Sequence, residues 1–180
     1  KSKIKLTGSD SAQLVLTAKV DDNKSLEQIY TFYGDRYDIG YEIRMKGLKD
    51  GLGNISYFDI NWTNTLPKTE LSIENMRQKT FFAYKEGNSV EKATASDEIT
   101  EESIKNGFEW LAYKSQFFSN TLIGEKPFRS GKVKMGTPPV EDVNRIMESK
   151  LKVDIPRSDD ISNRFRIYMG PNEYATLTSY

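Results

Sequence analysis

The sequence predicts a mainly β protein, an antiparallel β-sandwich with one short helix at its C-terminal end. Three observations carry that reading. Short runs of β-branched and aromatic residues recur along the chain, each bounded by Gly, Pro, Asn or Asp, which is the chemistry of strands and the turns between them. The first connections are too short for a crossover, so sequential strands should pair antiparallel. No stretch alternates strand with long amphipathic helix, which argues against β-α-β units and leaves two packed sheets as the way to bury one face of each.

The N-terminal third supplies strands at Gln13–Val20, Gln28–Tyr33 and Tyr37–Met45, separated by turn formers at Asp21-Asp22-Asn23 and Gly34-Asp35; a meander is the simplest arrangement. In the third strand Ile39, Tyr41, Ile43 and Met45 alternate with Asp38, Glu42, Arg44 and Lys46, a period of two that predicts one dry face and one wet face. Lys49 to Gly53 contains two glycines and predicts a loop, after which Ile55–Trp62 is extended. Thr69–Met76 fits a short helix or an irregular connector, because Leu71 and Met76 are not at helical spacing. Lys79–Lys85 predicts a strand with Phe82 and Tyr84 on one face, Phe81 and Ala83 on the other.

Glu86 to Asn106 gathers Glu91, Asp97, Glu98, Glu101 and Glu102 and predicts an acidic loop. Its carboxylates lack the fixed alternation and internal glycine of an EF-hand, so no metal is expected there. Phe108–Tyr113 and Gln116–Ile123 are apolar on both faces and predict strands at the centre of a two-layer core. Of Phe117 and Phe118, one should fill the interior while the other lies beneath a loop or helix, or joins a contact surface. Gly131–Met135, Arg145–Ile155 and Asn163–Met169 continue the β pattern, the second ended by Pro156, for a total of about nine or ten strands. Pro171 suits the first turn of a helix, with Glu173 near its positive end, and Tyr174, Leu177 and Thr178 share one face of it.

A chain of 180 residues is a normal single domain, able to bury roughly 70% of its unfolded surface. Ten Tyr, nine Phe and two Trp make it too aromatic to be disordered. The absence of Cys and His removes thiol nucleophiles, disulfides, zinc sites of those ligands and every dyad or triad that uses imidazole; no cofactor is expected. Carboxylate pairs, Lys or Tyr bases and oxygen-ligand calcium sites remain open. The 26 basic and 26 acidic side chains cancel, so nothing concentrates a phosphate backbone and nucleic acid is not an expected partner. Arg164 and Arg166 alternate on one strand and read as a solvated face. No apolar run approaches the ~20 residues that cross a bilayer.

Two segments stand out: Trp110-Leu-Ala-Tyr-Lys-Ser-Gln-Phe-Phe-Ser119 followed by Leu122-Ile123, and Tyr168-Met-Gly-Pro-Asn-Glu-Tyr174 with Leu177 behind it. The aromatic stretch ending Asp59-Ile-Asn-Trp62 adds to them. Together they resemble the periplasmic domain of YidC-type membrane-protein insertases, in particular the large form of Bacteroidetes-like bacteria, over about residues 40–180. The resemblance implies a twisted super-sandwich similar to galactose mutarotase-like domains, with additional strands before the matched region. It implies that residues 1–180 are one periplasmic domain, soluble as this fragment, of a longer protein tethered to the inner membrane.

On that resemblance the parent inserts and folds inner-membrane proteins, alone or with the Sec translocon. This domain would be a non-enzymatic interaction module whose partners are Sec components and nascent membrane proteins. Tyr174, Leu177 and Tyr180 on the terminal helix are the candidate contact residues, although amphipathic packing favours Leu177 as a residue that closes the sandwich. The sugar-associated fold leaves an alternative, a carbohydrate-binding or carbohydrate-active sandwich with Trp62 as stacking platform among polar Asn61, Thr63 and Asn64. Epimerisation in the related fold uses imidazole acids, and this chain has no His; the competing reading of Trp62 is core packing.

Overall fold

Turn chemistry shapes the N-terminal meander. The computed structural model describes residues 3–94, 99–140, 142–158 and 161–172, and its first three strands are β1 (Ser11–Lys19), β2 (Ser25–Tyr33) and β3 (Asp38–Lys46). Between β1 and β2, the Asp21 carboxylate accepts the Asn23 backbone N–H at 2.8 Å, an Asx turn that reverses the chain. Gly47, just after β3, has φ +60° and lies so near the Asn23 carbonyl oxygen that a Cβ would collide with it; only glycine fits such a site.

The chain continues through a one-turn helix α1 (Lys49–Leu52), β4 (Tyr57–Pro67), and α2 (Ile73–Gln78), whose first turn is capped by the Ser72 hydroxyl accepting from the Asn75 N–H. Then come β5 (Phe81–Glu86), β6 (Ser89–Thr94), β7 (Thr100–Ile104), β8 (Phe108–Lys114), β9 (Phe118–Phe128), β10 (Ser130–Gly136), β11 (Val143–Asp154) and β12 (Ile161–Pro171). All pairings are antiparallel. An eight-stranded sheet has the order β1-β2-β3-β12-β9-β8-β5-β6, and a four-stranded sheet the order β4-β11-β10-β7.

The two sheets bury their facing sides in one cluster. Phe108, Leu111, Tyr113 and Phe128 of the large sheet and Val133, Met135, Met147 and Leu151 of the small one are all at most 1% exposed. Each such side chain contributes roughly 1.5–3 kcal/mol on burial. Phe108 stacks on Phe128 at 5.0 Å, and Phe128 on Phe165 at 5.9 Å. Trp62 of β4 stacks on Tyr113 of β8 at 4.4 Å, and the Tyr113 hydroxyl donates to the Trp62 carbonyl at 3.2 Å.

The mainly β, antiparallel, two-layer fold is the one the sequence predicts, including the meander and the division of β5 into a face with Phe82 and Tyr84 and a face with Phe81 and Ala83; the former is the inner one. Four local expectations change. Lys49 to Leu52 is a helical turn, not an open loop. The predicted acidic loop contains two strands: β6, folded back on β5 through Gly87-Asn88, and β7, whose charges have partners, since the Tyr84 hydroxyl donates to Glu102 at 2.6 Å and Lys132 pairs with Glu101 at 3.3 Å. Asp97 and Glu98 lie outside the described residues. Asp38, assigned to the wet face, is 2% exposed, and its charge is accommodated by the Arg36 guanidinium, which donates to both carboxylate oxygens at 2.7 and 2.6 Å. Pro171 pairs with Phe118 as the last residue of β12, so the strand occupies the position where the helix should begin. Asn172 is not helical either, and residues 173–180 of the predicted helix lie outside the described residues.

Candidate functional site

The two segments singled out in the sequence meet at one end of the large sheet. β8 and β9 form a hairpin whose tip is Ser115-Gln116-Phe117. The Ser115 N–H donates to the Phe118 carbonyl at 2.9 Å, and the Ser115 hydroxyl accepts the Phe118 N–H at 3.3 Å. β12 runs beside β9, so its last residues arrive at that tip. There Asn172 takes over: its backbone N–H donates to the Phe117 carbonyl at 2.7 Å, and its side-chain amide donates to the Ser115 carbonyl at 2.8 Å, with the Phe118 and Gln116 carbonyls at 3.3 and 3.4 Å. One asparagine thus gathers the acceptors of the whole turn.

Around this anchor the surface is apolar. Phe117 is 55% exposed, Phe118 57%, Met169 50% and Tyr37 53%. Tyr37 belongs to the same end, since its carbonyl accepts the Met169 N–H at 3.0 Å and its ring meets Tyr168 edge-on at 6.4 Å. The expectation that one of the two phenylalanines fills the interior is therefore corrected. By alternation Phe118 shares the inner face with the buried Leu122, and Met169 shares it with Phe165, but the small sheet does not extend over this end. Phe117, Phe118, Met169 and Tyr37 thus form an exposed apolar group at this end of the sheet.

Trp62 is a partly buried residue packed against the core, one ring face covered by Tyr113; its position is that of a packing side chain. Tyr174, Leu177 and Tyr180 lie outside the described residues. Asn172, Tyr37 and Met169 were not candidates in the sequence. Asn172 carried a signal, since an Asn directly after a strand-ending Pro is a frequent turn and cap donor, whereas Met169 read only as one more strand residue.

The outer face of the small sheet offers a contrasting chemistry. Lys150 and Lys152 flank Asp59 at 3.1 and 3.6 Å, and the Lys150 hydrogen bond draws the Asp59 carboxyl below its ordinary value. The charges there are engaged in ion pairs with one another, Lys132 with Glu101 among them. Among the described residues no group of three or more carboxylates is arranged to hold a metal ion, and no helix is long and apolar enough to cross a membrane.

A family model describing the YidC periplasmic domain matches residues 1–180. The chain belongs to that family. The likeness thus includes the first forty residues, where the sequence motifs were silent. Relatives named membrane protein insertase YidC include one from Chlorobium luteolum, 27% identical over 96% of this chain and 30% of its own length. Others are from Bacteroides fragilis, 26% identical over 93% of this chain and 28% of its own, and from Chlorobium phaeovibrioides, 28% identical over 94% and 29%. The chain spans less than a third of the length of these curated relatives. Family membership places this domain on the periplasmic side of the inner membrane.

Proposed function

We propose that this domain is a non-catalytic interaction module of a membrane-protein insertase, serving the insertion and folding of inner-membrane proteins alone or beside the Sec translocon. The observation that carries the reading is the exposed Phe117–Phe118 tip, fastened by Asn172 at the point where β12 ends. Aromatic side chains on a preorganised turn contribute contact area at small entropic cost, the property of an interface anchor. The expected partners are nascent membrane proteins and Sec components, and Tyr174, Leu177 and Tyr180, which follow Asn172 in the sequence, are further candidate contact residues.

Photocrosslinking tests this in the full-length parent. A photoreactive residue at Phe117, and separately at Tyr180, should capture Sec subunits or nascent membrane proteins in inner membranes. Recovery of no membrane-protein neighbour from either position, with the protein expressed and inserted, refutes the reading.

A further inference from the structure

The outer face of the eight-stranded sheet carries a trough with a volume of about 710 Å³. Register explains its origin. Ala83, Ala112 and Thr121 are successive cross-strand partners, and Lys114 stands opposite Ser119 in the neighbouring row. Small side chains in mid-face, bordered by Trp110, Arg166 and Tyr168, leave a depression. Ala112 and Ser119 are only 4% and 2% exposed although they point away from the sandwich interior. The Ser119 and Thr121 hydroxyls lie 3.0 Å apart; one donates to the other, which leaves the second proton available to a ligand.

Lys114 is the unbalanced group of this lining. Lys85 is matched by Glu109 at 2.8 Å, but among the described residues no carboxylate lies within ion-pair distance of Lys114. Its ammonium sits 5.9 Å from the Phe81 ring, and Lys92 approaches the same ring at 5.7 Å. Burial, reinforced by the Lys92 charge, lowers its pKa. Glu125 lines the trough six positions beyond Ser119 on β9, past the irregularity that follows Ile123, so it marks the opposite end. A partly desolvated cation beside a like charge, facing a polar cavity, is short of one negative charge.

We propose that the trough binds a small amphiphilic anion, its carboxylate or phosphate head on Lys114 and the Ser119–Thr121 hydroxyl pair, its apolar body along Ala112 toward Trp110 and Ile123. This site is separate from the Phe117–Phe118 tip and stands without the function proposed for it.

The test titrates the 180-residue chain with octanoate, octyl phosphate and octanol, following the amide resonances of Ala112 and Thr121. Both anions should shift these resonances and octanol should not. Lys114→Met should weaken binding roughly tenfold, the worth of one charge-assisted hydrogen bond, while Lys114→Arg retains it. Lys114→Met should also melt no lower than the parent chain, since it removes an unmatched, desolvated charge. Ala112→Leu, which fills the floor with Lys114 intact, should abolish binding. Octanol binding as tightly as octanoate, or unchanged affinity in Lys114→Met or Ala112→Leu, overturns the proposal. Flotation with phosphatidylglycerol vesicles that depends on Lys114 identifies the source as a lipid headgroup; octanoate binding without flotation identifies a soluble amphiphile.

Discussion

β8 and β1 belong to the same sheet and both present leucines on its inner face, yet Leu111 is fully buried and Leu16 is 50% exposed. The register leaves no doubt about the face: Leu16 stands opposite Gln28, which stands opposite Ile43 of the core. What differs is cover. Four strands cannot roof eight, and the small sheet shares its core with β3, β12, β9, β8 and β5, leaving the β1–β2 flank open along with the inner-face side of the hairpin tip. Alternation in a sequence assigns a side chain to a face, whereas burial depends on whether a second layer reaches it.

The sharpest way to break this comparison is to truncate both leucines. Leu111→Ala should cost about 2–5 kcal/mol, the range for a buried leucine that leaves a cavity, and Leu16→Ala within about 0.5 kcal/mol, both read from urea unfolding midpoints. Equal losses would mean that β1 is covered after all. Next in size is Tyr113→Phe, expected to cost about 1 kcal/mol through the lost hydrogen bond to the Trp62 carbonyl.

Tyr113 also governs alkaline behaviour. Burial pushes its hydroxyl pKa above the ordinary 10.0, so the folded chain keeps a proton that the unfolded chain releases. Its contribution is therefore complete below about pH 10 and declines as the pH rises past that value. Tyr113→Phe should make the alkaline fall in stability shallower, though not remove it, because burial raises Tyr41 and Tyr84 in the same direction. The smallest effect belongs to the solvated side of the small sheet, where Lys132→Ala breaks an exposed ion pair with Glu101 and should change stability by less than about 1 kcal/mol.

Much of the fold was legible because the chain writes it locally. β3 and β5 show their faces by alternation, and Asp21-Asp22-Asn23 announces the first reversal. β6 carried a local signal, the two-residue Gly87-Asn88 turn that folds it back on β5, whereas β7 was hidden because its strand identity rests on partners distant in sequence: Glu102 is matched by Tyr84 and Glu101 by Lys132. The apolar hairpin was legible as a place of special chemistry, but the exposure of Phe118 was not, since it follows from where the other sheet stops. Nor could spacing reveal that Asn172 would bind the turn at Ser115, 57 residues earlier.

The central place of β12 has a mechanical consequence. It lies between β3 and β9, paired with β3 over Ile161–Tyr168 and with β9 over Phe165–Pro171, and Asn172 is lashed to the neighbouring hairpin. Because ladder bonds run perpendicular to the strand, a tug on Asn172 along the strand axis loads two rows of bonds together in shear instead of opening them one by one like a zipper. The domain is built to stay folded under tension at that point, and to pass a pull into the middle of its large sheet.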